Sequence, residues 1–61
     1  MKRKLMKLDE VLLRRIAKDF SIYGPTKEDV ATSLAQYLRV YTLTWEDLLA
    51  RYGQVLLGGV A

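Results

Sequence analysis

The sequence predicts a mainly α-helical fold, with a short N-terminal strand followed by three helices in one domain spanning residues 1–61. First, three amphipathic segments each begin after a side chain that can cap a helix. Second, a Gly24-Pro25-Thr26 break separates the first two of those segments. Third, a chain of 61 residues is too short for more than one core. A three-helix bundle without the strand is the alternative fold.

Asp9, Thr26 and Thr44 mark the predicted helix starts, because their side-chain oxygens can accept from the first free N–H groups. An apolar or proline residue precedes each of them, as in a hydrophobic staple. The predicted elements are an arm or strand at 1–8 and helices at 9–23, 26–41 and 44–57. Gly24 is expected to end the first helix in a left-handed conformation.

Apolar residues recur at helical spacing within each predicted helix. In the first helix they are Leu12, Leu13, Ile16, Phe20 and Tyr23, with Arg14, Arg15, Lys18 and Asp19 facing water. In the second they are Val30, Ala31, Leu34, Ala35, Leu38 and Tyr41. In the third they are Trp45, Leu48, Leu49 and Tyr52. Gly53 either ends the third helix or bends it, fraying is expected beyond Gly58, and the role of segment 55–61 stays open.

The arm at residues 2–8 fits two structures. Lys4, Met6 and Leu8 alternate with Arg3, Leu5 and Lys7, which is typical of a short strand. Leu5, Leu8 and Leu12 would equally extend the first helix backwards. Seven residues do not distinguish a period of 2 from one of about 3.6.

The composition argues against an enzyme. The chain has no Cys and no His, which removes the thiolate and imidazole ligands of metals and the usual general base. Six of its seven acidic residues lie at or near predicted helix starts, where they complement the positive end of the helix. We therefore predict no catalytic residue, no cofactor and no metal site.

No apolar run approaches the roughly 20 residues of a membrane span, and charged residues interrupt any secretory signal. We expect a soluble, cytoplasmic protein that binds no membrane.

Half of the residues in this chain are apolar, at 51%. A small chain of this kind, without disulfides, often completes its core by oligomerising. We therefore expect a homodimer that covers Leu12, Ile16, Val30 and Leu34.

The positive charge is concentrated at one end of the chain. Residues 1–18 carry seven basic and two acidic side chains, a balance of +5, whereas residues 19–61 carry three and five, a balance of −2. Such a basic end favours a polyanionic partner.

The basic arm, the segment Leu8-Asp9-Glu10-Val11-Leu12-Leu13-Arg14-Arg15-Ile16 and the turn Gly24-Pro25-Thr26-Lys27 together resemble the ribbon-helix-helix repressors. The resemblance covers about residues 2–40. It implies an intertwined homodimer, with one further C-terminal helix here. Its paired N-terminal strands would enter the major groove of double-stranded DNA, and the protein would regulate transcription in a sequence-specific manner.

The resemblance also implies roles for individual residues. Arg3, Leu5 and Lys7 would point toward the bases, and Met6 and Leu8 toward the dimer core. Thr26 and Lys27, at a helix start, would meet a phosphate. Phosphate contacts are also expected of Lys2 and Lys4.

Two other functions fit the sequence. A helix-turn-helix would use the third helix for recognition, although Glu46 and Asp47 would place acids toward the DNA. A helical adaptor or inhibitor would bind another protein through aromatic anchors in or near the third helix. Those anchors would be Tyr41, Trp45 and Tyr52.

Overall fold

The computed structural model describes residues 1–56, apart from the side chain of Val55. Four helices follow one another, namely α1 (Lys2–Met6), α2 (Glu10–Asp19), α3 (Lys27–Val40) and α4 (Trp45–Leu56). The prediction of a mainly helical fold is thus confirmed. Both α1 and α2 pack against α3, which is the central helix. The expected end of the third helix at 57 and the fraying beyond Gly58 lie outside the described residues.

The N-terminal strand is not seen, since residues 1–56 contain no strand and residues 2–6 form helix α1. The continuous backward extension of the next helix is not seen either. Lys7 ends α1, and Asp9 lies in an extended conformation at the start of α2. The burial of Leu5, which is 0% exposed, favours the helix because it places one leucine in the core and the charged residues outside.

The three predicted helix starts are confirmed. Asp9 Oδ2 accepts a hydrogen bond from the Val11 N–H at 3.1 Å. Thr26 Oγ1 accepts from the Asp29 N–H at 3.1 Å, and Thr44 Oγ1 accepts from the Asp47 N–H at 3.2 Å. At α4 the bonding is reciprocal, because the Thr44 N–H donates to Asp47 Oδ2 at 2.7 Å.

The end of α2 differs from the prediction. The helix stops at Asp19, and Ser21 rather than Gly24 takes the left-handed conformation, with φ 58°. The Ser21 and Ile22 N–H groups donate to the Lys18 and Ala17 carbonyls, both at 2.9 Å, which is a Schellman motif.

Helix α3 ends in the same way. Thr42 is left-handed, with φ 57°, and the Leu43 N–H donates to the Leu38 carbonyl at 2.8 Å. The Thr42 N–H donates to the Arg39 carbonyl at 3.2 Å. A β-branched residue rarely adopts this conformation, so the α3–α4 turn holds backbone strain.

Gly24 allows a close approach between the α2–α3 loop and α3. A Cβ added to it would lie 3.1 Å from the Asp29 Cβ and 3.3 Å from the Val30 nitrogen. Arg14, which the sequence placed in water, is half-buried and donates from Nη1 to the Gly24 carbonyl at 2.8 Å. This arginine therefore fixes the loop.

The core lies between α1, α2, α3 and α4, and among the described residues it contains nine that are buried and apolar: Leu5, Leu13, Ile16, Ala17, Val30, Ala31, Leu34, Leu38 and Leu48. Seven of them belong to the predicted apolar faces. Tyr23 and Tyr41 were expected on those faces but are 71% and 61% exposed, so their assignment to the buried faces was wrong.

Gly53 does not end α4; the helix bends at the preceding Tyr52, with φ −121° and ψ 21°, and continues to Leu56. No helix within residues 1–56 is long and apolar enough to cross a membrane.

Candidate nucleic-acid interface

Two cations, one in α1 and one at its C-cap, point away from the core. Arg3 precedes the buried Leu5 by two residues, and Lys7 follows it by two. Because each residue turns the helix by about 100°, both cations lie on the side of the helix roughly opposite Leu5. Both side chains are exposed. Leu5 itself cannot read a base in this structure, because it lies in the core; its predicted role on the ribbon was therefore wrong.

The other two lysines of the arm contact neighbouring helices. Lys2 Nζ forms a salt bridge with Glu28 Oε2 at 3.1 Å, at the start of α3. Lys4 Nζ lies 5.6 Å from the centre of the Trp45 ring, at the start of α4. Such exposed contacts contribute little to stability, but they direct these charges along the body of the protein.

The exposed side of α2 carries two more cations. Arg15 and Lys18 are exposed, and with Val11 they follow the spacing i, i+4, i+7 along one face. Arg14, by contrast, is held by Glu10 Oε2 at 2.9 Å and by the Gly24 carbonyl. Within residues 1–56, neither Arg15 nor Lys18 takes part in a salt bridge. We call Arg3, Lys7, Arg15 and Lys18 the cationic set.

The start of α3 is poorly suited to a phosphate. The Thr26 hydroxyl donates to Asp29 Oδ2 at 2.9 Å while accepting from the Asp29 N–H, so its single O–H donor is used within the cap. Glu28 and Asp29 add two acids to the first turn. Lys27 is half-buried. The geometry thus gives no support to a phosphate contact by Thr26 and Lys27.

The residues predicted for a dimer core lie in or against the core of a single chain. Ile16, Val30 and Leu34 are fully buried there, and the other three pack against them: Met6, Leu8 and Leu12. A second chain is therefore not required to cover these residues.

All three predicted aromatic anchors contact other side chains of the molecule. Trp45 is half-buried beneath Lys4. The Tyr52 hydroxyl donates to Asp19 Oδ2 at 2.6 Å, tying α4 to the end of α2. Burial, together with this hydrogen bond, raises the pKa of Tyr52. Only Tyr41 remains largely exposed.

An aromatic row that the sequence analysis missed crosses the surface between α2 and α3. The ring centres of Phe20 and Tyr37 lie 5.0 Å apart, and those of Tyr37 and Tyr41 lie 4.5 Å apart. The Arg51 guanidinium lies 6.0 Å from the Phe20 ring centre. The four-residue spacing of Tyr37 and Tyr41 was the available signal, since it places both on one side of a helix.

A groove of about 660 Å³ separates α2 from α4. Arg15 and Asp19 line one side, and Arg51, Tyr52 and Gln54 line the other. Two arginines and one aspartate give the lining a net charge of +1. The groove therefore connects the cationic set, through Arg15, with Arg51 at the end of the aromatic row.

The described part of the chain contains no group of three His, Cys, Asp or Glu residues that could hold a metal ion. No protein-family model, curated protein or solved structure matches this sequence. A functional assignment therefore depends on the charge and geometry of the surface itself.

Proposed function

We propose that this protein binds duplex DNA through the cationic set on α1 and α2. The observation that carries the proposal is the projection of Arg3, Lys7, Arg15 and Lys18 into solvent, without a salt bridge in residues 1–56. An ionised side chain without a protein partner can neutralise a phosphate and release condensed counterions, which is the main source of DNA affinity.

The acids of α3 and α4 disfavour the N-terminal turns of those two helices as the DNA contact. Glu28 and Asp29 occupy the first turn of α3, and Glu46 and Asp47 that of α4. These helix starts would repel a polyanion, and a recognition helix beginning at Trp45 is disfavoured for the same reason. The DNA is therefore assigned to the exposed residues of α1 and α2.

A role in transcription regulation would require preference for one DNA sequence. In this proposal Arg3 and Lys7 supply it, because both can donate to guanine O6 and N7 in the major groove. They do so from a helix rather than from a ribbon. The binding unit is a single chain, because the core is already covered within it.

The test compares two double variants that each remove two positive charges. Arg15→Gln/Lys18→Gln changes the cationic set, whereas Lys27→Gln/Arg39→Gln changes cations outside it. Affinity for a 16-base-pair duplex would be measured between 50 and 300 mM salt. The first variant should flatten the slope of log affinity against log salt by about 1.8, since each phosphate contact contributes about 0.9. The control should leave the slope unchanged.

Two results would contradict the proposal. One is the absence of duplex binding by the unchanged protein at about 50 mM salt, where phosphate contacts are strongest. The other is an equal loss in both double variants, which would attribute the binding to net charge rather than to this surface.

A further inference from the structure

The aromatic row of Phe20, Tyr37 and Tyr41 has an open end. Phe20 and Tyr37 are half-buried against the core, whereas Tyr41 is 61% exposed and contacts Tyr37 on one side. The two tyrosine rings are tilted by 36°, so they stack partly on each other. An exposed ring held from behind by a second ring offers a fixed apolar surface to a further planar group.

Positive charge lies at the other end of the row. Arg51 approaches the Phe20 ring at 6.0 Å and also lines the groove between α2 and α4. Arg15 lines the opposite side of that groove. The one acid in the lining, Asp19, accepts a hydrogen bond from the Tyr52 hydroxyl. The surface therefore runs from two guanidinium groups, past Phe20, to the stacked tyrosines.

Rings next to arginines match the chemistry of an unpaired polynucleotide. Every base has a planar face that can stack on an aromatic ring, and the phosphates between bases require positive charge. A duplex cannot use the rings, because its bases already stack on one another. A protein partner could use them, but the adjoining arginines favour a polyanion.

We propose that the aromatic row binds unpaired nucleotides of single-stranded nucleic acid, with a base stacked on the exposed face of Tyr41 and phosphates at Arg51 and Arg15. This site is additional to duplex binding by the cationic set. Only Arg15 contributes to both, where the groove joins the two surfaces. The protein would thus hold a junction between paired and unpaired strands.

The experiment uses a fluorescently labelled oligothymidine of 12 nucleotides and an abasic oligonucleotide of the same length. Tyr41→Ala removes the outer ring. Tyr23→Ala is the matched control, because Tyr23 is 71% exposed and makes no ring contact within residues 1–56. Tyr41→Ala should weaken oligothymidine binding about 5- to 160-fold, the range for losing one stacked base. Tyr41→Trp should preserve the binding, and Tyr23→Ala should not change it.

The same variants separate this site from duplex binding. Tyr41→Ala should leave affinity for a 16-base-pair duplex unchanged. Lys18→Gln should lower duplex affinity, and in that background Tyr41→Ala should still weaken oligothymidine binding by the same factor. Circular dichroism of Tyr41→Ala should match that of the unchanged protein, because the ring is largely outside the core.

Three outcomes would overturn the proposal. The abasic oligonucleotide could bind as tightly as oligothymidine, which would show that charge alone accounts for the binding and that no base stacks on the row. The Tyr23→Ala and Tyr41→Ala losses could be equal. Oligothymidine could fail to bind at about 50 mM salt, which would leave a protein as the occupant of the row. Each of these results is compatible with duplex binding by the cationic set.

Discussion

Leu5→Ala is expected to destabilise the protein by about 2–5 kcal/mol, the range for truncating a leucine in a core. Leu5 is 0% exposed and lies where α1 packs on α3. A domain of this size has a free energy of unfolding of roughly 3–9 kcal/mol, so the substitution should remove a large part of it. The physical reason is a cavity between α1 and α3 that neighbouring helices can only partly close.

Urea denaturation followed by circular dichroism measures this loss. With an m-value of about 1 kcal/mol/M, the midpoint should fall by at least roughly 2 M, or the variant should be unfolded without urea. Val11→Ala is the control, because Val11 is 76% exposed and its truncation should change stability by no more than about 0.5 kcal/mol. A Leu5→Ala midpoint equal to that of the control would refute the packing of α1 on α3. It would indicate instead that residues 2–8 form an exposed arm.

Two further substitutions test a helix end and a helix start, and a third tests the hydrogen bond between α4 and Asp19. Thr42→Gly should raise stability by about 1 kcal/mol, and the Tm by about 4–8 °C, because it relieves a left-handed β-branched residue; an unchanged or lower Tm would argue against that strain. Thr44→Ala should lower stability by about 1 kcal/mol through loss of the α4 cap, whereas Thr32→Ala, at an exposed site, serves as its control. Tyr52→Phe removes the hydrogen bond to Asp19. Because the folded-state pKa of Tyr52 is raised, the unchanged protein should lose stability as the pH rises above about 10 and through that pKa. The phenylalanine variant should lack that portion of the loss in alkaline thermal melts, and identical pH profiles would contradict the bond.

The helix starts could be predicted from the sequence because a cap is a local interaction. Thr44 and Asp47 are three residues apart, and their hydrogen bonds need no other part of the chain. The helix ends were harder to predict. Gly24 marked the wrong position for the end of α2, because the surrounding fold imposes the left-handed conformation on Ser21 instead. Gly24 serves a close approach to Asp29 that depends on how the loop packs.

The nature of residues 2–8 could not be predicted because both periods fit so short a segment. The decisive interaction is the burial of Leu5 against α3, a contact between distant parts of the chain. The same limit applies to the candidate surface. The sequence identified the basic end, but the salt bridge that pairs Lys2 with Glu28 joins residues 26 positions apart and could not be predicted. The meeting of Phe20 with Tyr37 likewise depends on the packing of α2 on α3.

The most direct test of the cationic set is to record backbone amide chemical shifts while a 16-base-pair duplex is added at about 50 mM salt. We predict that the changes concentrate in residues 2–18, around Arg3, Lys7, Arg15 and Lys18. The amides at the starts of α3 and α4, near Asp29 and Asp47, should change least. Changes that centre on those two helix starts, or that spread evenly along residues 1–56, would contradict the assignment of DNA binding to α1 and α2.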